Sequence, residues 1–381
     1  MATHTIGIVV NGATGRIAST QHLANALAPI RDEGGLSAGA DRIVPRPMLA
    51  GRNAEKLAEI GKRHNVEWAT DLDAVLSDPA FPVFFDAAAT QQREASLTRA
   101  IAAGKHIYSE KPVALSAERG FELLRAAQAR GVKHGAVEDK LGLPGLQKLA
   151  RVAASGALGR VVNFRLEFGW WVFDGTEVPC QRPSWNYRRS GGGGLILDMY
   201  PHWRYVIENT LGPMRRVSTA MSTATPERID EAGARYSVDV EDNAATLIEL
   251  QSGAIGTILS SWATRVRRDD LVTFQIDGTQ GSALAGLHKC WTSTNAKTPR
   301  TAHFNIASDL NIDYRAHWDE VAEAGPFKNP YRIGWENFLR HVATGAPMQA
   351  DLAAGIRDVQ FAEACYRSMK EARWIDLAPH S

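Results

Sequence analysis

Thr5-Ile6-Gly7-Ile8-Val9-Val10-Asn11-Gly12-Ala13-Thr14-Gly15-Arg16-Ile17 is the stretch that decides the fold. Thr5 to Val10 is a short apolar, β-branched run of the kind a core strand shows, and it ends in a glycine turn followed by an amphipathic segment. Strand, glycine turn and helix in that order open a dinucleotide-binding βαβ unit. Glycine there lets the backbone approach a pyrophosphate that a Cβ would block. The helix behind it turns free N–H groups and the positive end of its dipole toward that anion. Against GxGxxG, Val10 stands where the first glycine would be, and Gly12 and Gly15 match. Gly12, Ala13, Thr14, Gly15, Arg16 and Ile17 are therefore the expected phosphate contacts.

Working outward, Arg46 to Ala50 (RPMLA) reads as a second strand, followed by Gly51-Arg52-Asn53 and the helical run AEKLAEIGKRH. An acidic residue at this strand end would bond the ribose hydroxyls of NAD, whereas an arginine can pair with the 2′-phosphate of NADP. Gly51 then Arg52, with no carboxylate, leans the choice between NAD and NADP toward NADP; an arginine can equally stack on the adenine. Arg52 and Asn53 are expected at the cofactor. Val83 to Ala88 (VFFDAA) is a third strand, with Ala87 to Thr90 small enough to lie under a cofactor. A helix, SLTRAIAAG, and a strand, HIYSEKPVALS, follow. Strands alternating with helices predict a parallel sheet covered on both faces, its ligand crevice beyond the carboxyl ends of the strands. Gly12–Ile17, Arg52, Thr90 and Glu110-Lys111-Pro112 all fall at such ends.

At 381 residues the chain is long enough for two domains. We place them at 1–137, dinucleotide-binding, and 138–381, substrate-binding and oligomerising. Lys+Arg 43 against Asp+Glu 42 gives a formal net charge of +1, so no global field recruits nucleic acid or an anionic membrane. Cys180, Cys290 and Cys365 form no CxxC pair, which argues against a disulfide framework or a cysteine zinc site. Eleven histidines without HExxH spacing predict no metal. The first residues carry no basic leader and no run approaches about 18 apolar residues, so a cytoplasmic protein is expected.

With Glu110-Lys111-Pro112 closing the strand after Lys105-His106-Ile107, the sequence resembles the Gfo/Idh/MocA oxidoreductases, NAD(P)-dependent sugar and cyclitol dehydrogenases and reductases. The matching segments are the Gly12/Gly15 turn, AAGKHIYSEKPVALS, SGALGRV (Ser155–Val161), GGGGLILDMYPH (Gly191–His202) and SGAIGTI (Ser252–Ile258). The resemblance implies an N-terminal Rossmann domain and a C-terminal α/β domain on an open, mostly antiparallel sheet, with homodimers or homotetramers associating through that sheet. It assigns to Lys111 contact with the reacting hydroxyl and the nicotinamide ribose. A partly desolvated lysine beside a cationic ring is expected to lose its proton more easily. Glu110 is expected at the cofactor beside it. Pro112 permits a cis Lys–Pro bond that would aim the side chain inward.

Asp198 and His202, four residues apart on a helical segment, share one face. Pro201 suits a helix only in its first turn, which would set Asp198 near the N-cap. The pair suits acid–base work: His202 exchanges the hydroxyl proton and Asp198 orients the substrate or the imidazole. The family's aspartate three residues after the histidine is replaced by Tyr205. Lys140 is a further substrate candidate where the chain enters its second domain. Tyr187, Arg188 and Arg189, beside the glycine run, offer a stacking face and an anion clamp. Gly191–Gly194 lacks the sequel of a phosphate loop and is expected to pass under the nicotinamide end of the cleft. Arg265–Asp270 reads as a solvated face or a subunit contact.

The expected activity is hydride transfer between a nicotinamide and a ring carbon of a sugar, sugar acid or glycoside. Two alternatives stand beside it. One is an NAD-dependent glycoside hydrolase that oxidises, eliminates, hydrates and re-reduces, on an anionic sugar such as sulfoquinovose. The other is a non-catalytic sugar or redox sensor.

Overall fold

The computed structural model describes residues 2–171, 174–180, 182–264, 270–300, 305, 307 and 312–377. The chain forms two compact units, Met1–Gly142 with Lys328–Gln360, and Leu143–Phe327 with Phe361–Ser381.

The first unit carries β1 (Thr3–Asn11), α1 (Ile17–Leu27, continuing as Ala28–Asp32), β2 (Leu36–Ala38), β3 (Asp41–Ala50), α2 (Ala54–His64), β4 (Glu67–Ala69), α3 (Leu72–Ser77), β5 (Val83–Asp86), α4 (Thr90–Ala102), β6 (His106–Ser109), α5 (Ala117–Arg130) and β7 (His134–Ala136). The strands lie in the order β2-β3-β1-β5-β6-β7, with β4 also beside β3. All pairs are parallel except the short edge strand β2 on β3. β1 is apolar throughout its centre because both of its faces are covered. Ile8 and Val10 point into one core layer with Leu23 and Leu27 of α1. Val9 points into the other, with Leu97 of α4 and Leu123 of α5.

Two strands are shorter than the sequence runs predict, for local reasons. The Asp86 carboxylate accepts the N–H of Ala88, turning the chain out of the sheet after β5. The Ser109 hydroxyl donates to the Glu110 carbonyl at the end of β6, and Glu110 to Ser116 lie outside the ladder.

The second unit adds α6 (Pro144–Ala154), β8 (Val161–Gly169), α7 (Leu195–Leu211), β9 (Met214–Ser222), β10 (Glu227–Ile229), β11 (Arg235–Ser237), β12 (Asn243–Leu250), β13 (Ile255–Ser261), β14 (Val272–Gly278), β15 (Gly281–Ala285), β16 (Cys290–Thr294), β17 (Asp319–Glu320) and β18 (Ile375–Asp376). Among the described residues, nine strands run β17-β16-β15-β14-β8-β13-β12-β9-β18. The β8–β13 pair is parallel and its neighbours antiparallel, the open mostly antiparallel sheet that was expected. Along β8, Phe164, Leu166 and Phe168 are buried while Asn163, Arg165 and Glu167 face the other way and are more open, a two-residue alternation. Leu247, Ile255 and Leu259 are likewise exposed. Residues 172–173, past the end of β8, lie outside the described residues, as do 265–269 of the charge run.

The last helices are α8 (Pro330–Thr344) and α9 (Leu352–Glu371). Asn329 caps α8, its side-chain oxygen accepting from Tyr331, and Pro330 stands where a missing N–H is harmless. Trp335, Phe338 and Leu339 of α8 bury themselves in the first unit's core. That burial places 328–360, grouped by the sequence reading with the second domain, in the first unit. Cys290 and Cys365 are buried and Cys180 is half-buried. Among the described residues no helix is long and apolar enough to cross a membrane.

Candidate active site

In the first unit, Gly12 adopts φ 74°, open to glycine and strained for other residues. A Cβ there would sit 2.7–2.8 Å from the Ala87 and Ala88 backbone, so this glycine serves the close approach of β1 to the chain leaving β5. Gly15 differs: a Cβ would meet only the Gly12 carbonyl, at 3.2 Å. Its open side is the cradle. α1 begins two residues later with no acidic side chain in its first turn, and Arg16 beside it is exposed. These features fit the pyrophosphate of a dinucleotide. Ala13 is buried, its N–H on the Ala50 carbonyl at 3.2 Å, which ties the loop to the end of β3. Thr14 and Ile17 are half-buried on the same loop.

At the end of β3, Arg52 is exposed. Asn53 is the N-cap of α2, its side-chain oxygen accepting from Lys56 at 3.0 Å. Thr90 opens α4.

Below these loops lies a buried clamp that the sequence did not announce. Asp86 is fully buried and accepts from Asn11 at 2.9 Å, Ser96 at 2.5 Å and Arg93 Nε at 3.3 Å. Arg93 donates onward to the carbonyls of Ala88 at 2.7 Å and Pro112 at 2.5 Å. One guanidinium therefore ties together the loops that follow β5 and β6. The Lys111–Pro112 peptide is cis, and Lys111 is half-buried.

Glu110, expected at the cofactor, turns its carboxylate inward. Oε1 accepts from His22 at 2.8 Å and Oε2 from the Lys111 N–H at 3.0 Å. Lys140, in the turn after β7, donates to the buried Asp139 at 2.6 Å. The Tyr331 hydroxyl hydrogen-bonds the same carboxylate.

In the second unit, Asp198 and His202 lie one turn apart on α7, as their spacing requires. The helix begins at Leu195, so Pro201 is interior and Asp198 lies a turn past the cap. The expectation of a proline in the first turn is corrected. The N-terminus is secured by Glu241 instead: its backbone carbonyl accepts from Leu195 at 3.1 Å and its carboxylate from Ile196 at 2.9 Å. Burial pushes that carboxyl up, against the hydrogen bonds from Ile196 and Tyr366. Asp198 is paired with Arg182, Nη2 to Oδ2 at 2.9 Å and Nη1 to Oδ1 at 3.4 Å. Arg182 is sixteen residues away in an irregular segment, where no periodicity could have found it. The buried His202 ring places Nδ1 2.7 Å from the Tyr205 hydroxyl. The residue replacing the family's aspartate therefore does orient the imidazole, as a neutral partner.

The remaining candidates divide. Tyr187 is fully buried, the Arg228 guanidinium 4.3 Å over its ring and Trp262 edge-on at 5.3 Å, so it offers no face to a sugar. Its neighbour Trp185 is exposed. Arg188 lies 4.4 Å over Tyr236, and Arg189 is bonded to Asp239 through its backbone N–H and its guanidinium. The glycine run is a packing device. A Cβ at Gly191 would meet the Trp185 carbonyl at 2.6 Å, at Gly193 the Asn186 carbonyl at 2.2 Å, and at Gly194 Glu241 at 2.7 Å.

Comparison with known proteins follows the same division. Residues 6–137 match the oxidoreductase family with an NAD-binding Rossmann fold, and residues 146–284 match the GFO/IDH/MocA C-terminal domain. The chain is 43% identical over 378 residues to D-xylose dehydrogenase of Paenarthrobacter nicotinovorans, covering 98% of this chain and 97% of the relative. It is 26% identical over 358 residues to levoglucosan dehydrogenase of Pseudarthrobacter phenanthrenivorans, covering 87% and 89%. Among solved structures, levoglucosan dehydrogenase in complex with NADH and levoglucosan aligns with a TM-score of 0.80 at 23% identity, covering 98% and 99%, a likeness of fold.

Proposed function

The chain belongs to the GFO/IDH/MocA oxidoreductases, and from that premise we propose that it oxidises a neutral aldose of the D-xylose class, or reduces its oxidation product. The observation that carries this reading is the 43% identity to D-xylose dehydrogenase over nearly the full length of both chains. The cradle at Gly15 and the N-terminus of α1 support a nicotinamide dinucleotide as coenzyme. Gly12–Ile17 hold its pyrophosphate. Arg52, exposed at the end of β3, is suited to a 2′-phosphate and admits NADP beside NAD. Once bound, the coenzyme supplies the hydride acceptor.

The chain's own residues handle the hydroxyl. Lys111 donates a hydrogen bond to the reacting oxygen and stabilises the negative charge that develops there. His202 takes the proton at Nε2 while Tyr205 holds Nδ1. Asp198, ion-paired with Arg182, accepts from a neighbouring sugar hydroxyl. Trp185 offers an apolar face to the ring. The anionic-glycoside reading needs Arg188 and Arg189 as a clamp, and both are already engaged by Tyr236 and Asp239.

A screen of neutral and acidic sugars and glycosides with NAD and NADP tests the proposal. Net accumulation of reduced coenzyme on a neutral aldose is expected. Cleavage of a glycoside with no net reduced coenzyme would replace it with the hydrolase reading. The exposed sheet face bearing Leu247, Ile255 and Leu259 is the surface through which we propose that the chain self-associates.

A further inference from the structure

We propose that His22 is a positioning residue for Lys111, acting through the carboxylate of Glu110, and that Trp335 selects the ring nitrogen it uses. This rests on the role given to Lys111 above.

His22 stands on α1 in the stretch wound at π pitch, a local form that often marks a functional position. Its ring is fully buried, 4.2 Å from the Phe85 ring and edge-on to Tyr331 at 4.9 Å. With no surface exposed, it offers nothing to coenzyme or sugar directly, so any effect on the reaction passes through its partners. Trp335 Nε1 lies 3.0 Å from Nδ1, and Glu110 Oε1 lies 2.8 Å from Nε2. An indole nitrogen can only donate. Nδ1 must therefore present its lone pair, the ring proton sits on Nε2, and Nε2–H donates to Glu110. Three elements far apart in sequence thus fix one tautomer.

Both Glu110 oxygens are consumed as acceptors, Oε1 by His22 and Oε2 by the Lys111 N–H at 3.0 Å. On the other side of the lysine, Arg93 donates to the Pro112 carbonyl at 2.5 Å. The lysine backbone is consequently held at its own N–H and at the carbonyl of the next residue. Without His22, Glu110 keeps its burial but loses the donor that orients it, and the Lys111 peptide gains a rotational freedom that a catalytic side chain does not tolerate.

The experiment compares His22→Leu, His22→Gln and Trp335→Phe in steady-state kinetics and thermal unfolding, with the ring tautomer read by nitrogen-15 NMR of the wild type and the His22→Gln spectrum as assignment. Glutamine places an amide donor near the position of Nε2; leucine places none. We expect His22→Leu to lower kcat by about tenfold or more with the coenzyme KM changed by less than about threefold. His22→Gln should recover most of kcat even where its melting temperature is no higher than that of His22→Leu. The wild-type ring should be the Nε2–H tautomer, and Trp335→Phe should admit the other. Equal losses in His22→Gln and His22→Leu that track melting temperature, or an Nδ1–H tautomer in the wild type, would overturn the proposal. If His22→Leu does not fold, the glutamine variant and the tautomer decide. A wild-type chain that turns over no sugar with either coenzyme overturns the proposed function itself, a result distinct from an active wild type whose His22 variants are indifferent.

Discussion

Gly12 and Gly15 look alike in sequence and do different work. Gly12 is needed by the fold: its φ is positive and a Cβ would collide with the Ala87–Ala88 backbone. Gly15 is needed by the ligand, because the protein itself leaves its outer side open. Gly12→Ala is therefore expected to lower the melting temperature by several degrees, through roughly 1–3 kcal/mol of strain. Gly15→Ala should leave the melting temperature of the ligand-free chain nearly unchanged and weaken coenzyme binding by about tenfold or more. Calorimetry and a coenzyme titration separate the two, and similar melting losses with unaltered affinity would contradict the assignment. The same contrast explains what sequence reading found at residue level. Lys111, Asp198 and His202 sit in recognisable local strings. Their partners Arg93, His22, Arg182 and Trp335 do not, because each reaches its target through space and nothing near it in the chain records that.

Among the elements, α8 shows how a helix is held in the first unit. Burial pushes the Glu336 carboxyl up, but hydrogen bonds from Lys328 at 2.9 Å and Arg332 at 3.0 Å, with the charge of Arg340, outweigh it and hold it below its ordinary 4.5. Arg332 also grips Glu33, just past α1, with two bonds of 2.6 and 2.5 Å. A carboxyl with a lowered native pKa adds stability that is present above its unfolded value and is lost as the pH falls through its native value. Glu336→Gln is expected to lose about 1–2 kcal/mol at pH 7, and the gap to wild type should close below pH 4.5. Urea unfolding at a series of pH values checks this; a gap independent of pH would contradict it.

The elements most legible in the sequence were those with strong period and punctuation, β1 and α2. β2 was missed because three residues leave no period to count. The start of α7 was misplaced because Pro201 normally excludes a helix interior, and here Glu241, distant in sequence, secures the N-terminus instead.

For the whole molecule, near-neutral charge left local surfaces to explain function and association. The parallel unit, covered on both faces, was legible from the order of its strands and helices, and the mostly antiparallel sheet from the family resemblance. The membership of 328–360 in the first unit was not, since only the burial of Trp335, Phe338 and Leu339 reveals it. If the chain self-associates through the exposed sheet face, Leu247→Glu with Ile255→Glu should reduce the mass in light scattering to that of a single chain, with turnover per chain falling less than its assembly. Both residues are more than half exposed at 51% and 56%, so folding should be little affected. An unchanged mass in the double variant would sink that surface.

The central claim is that a lysine at the end of β6 in a dinucleotide-binding unit activates a sugar hydroxyl for oxidation. It is tested most directly by turnover of a neutral aldose, D-xylose first, in wild type and Lys111→Ala, followed as reduced coenzyme. In Lys111→Ala, kcat is expected to fall by about 10²–10⁴-fold while coenzyme affinity in a binding titration stays within about tenfold. Undiminished turnover in Lys111→Ala would contradict it.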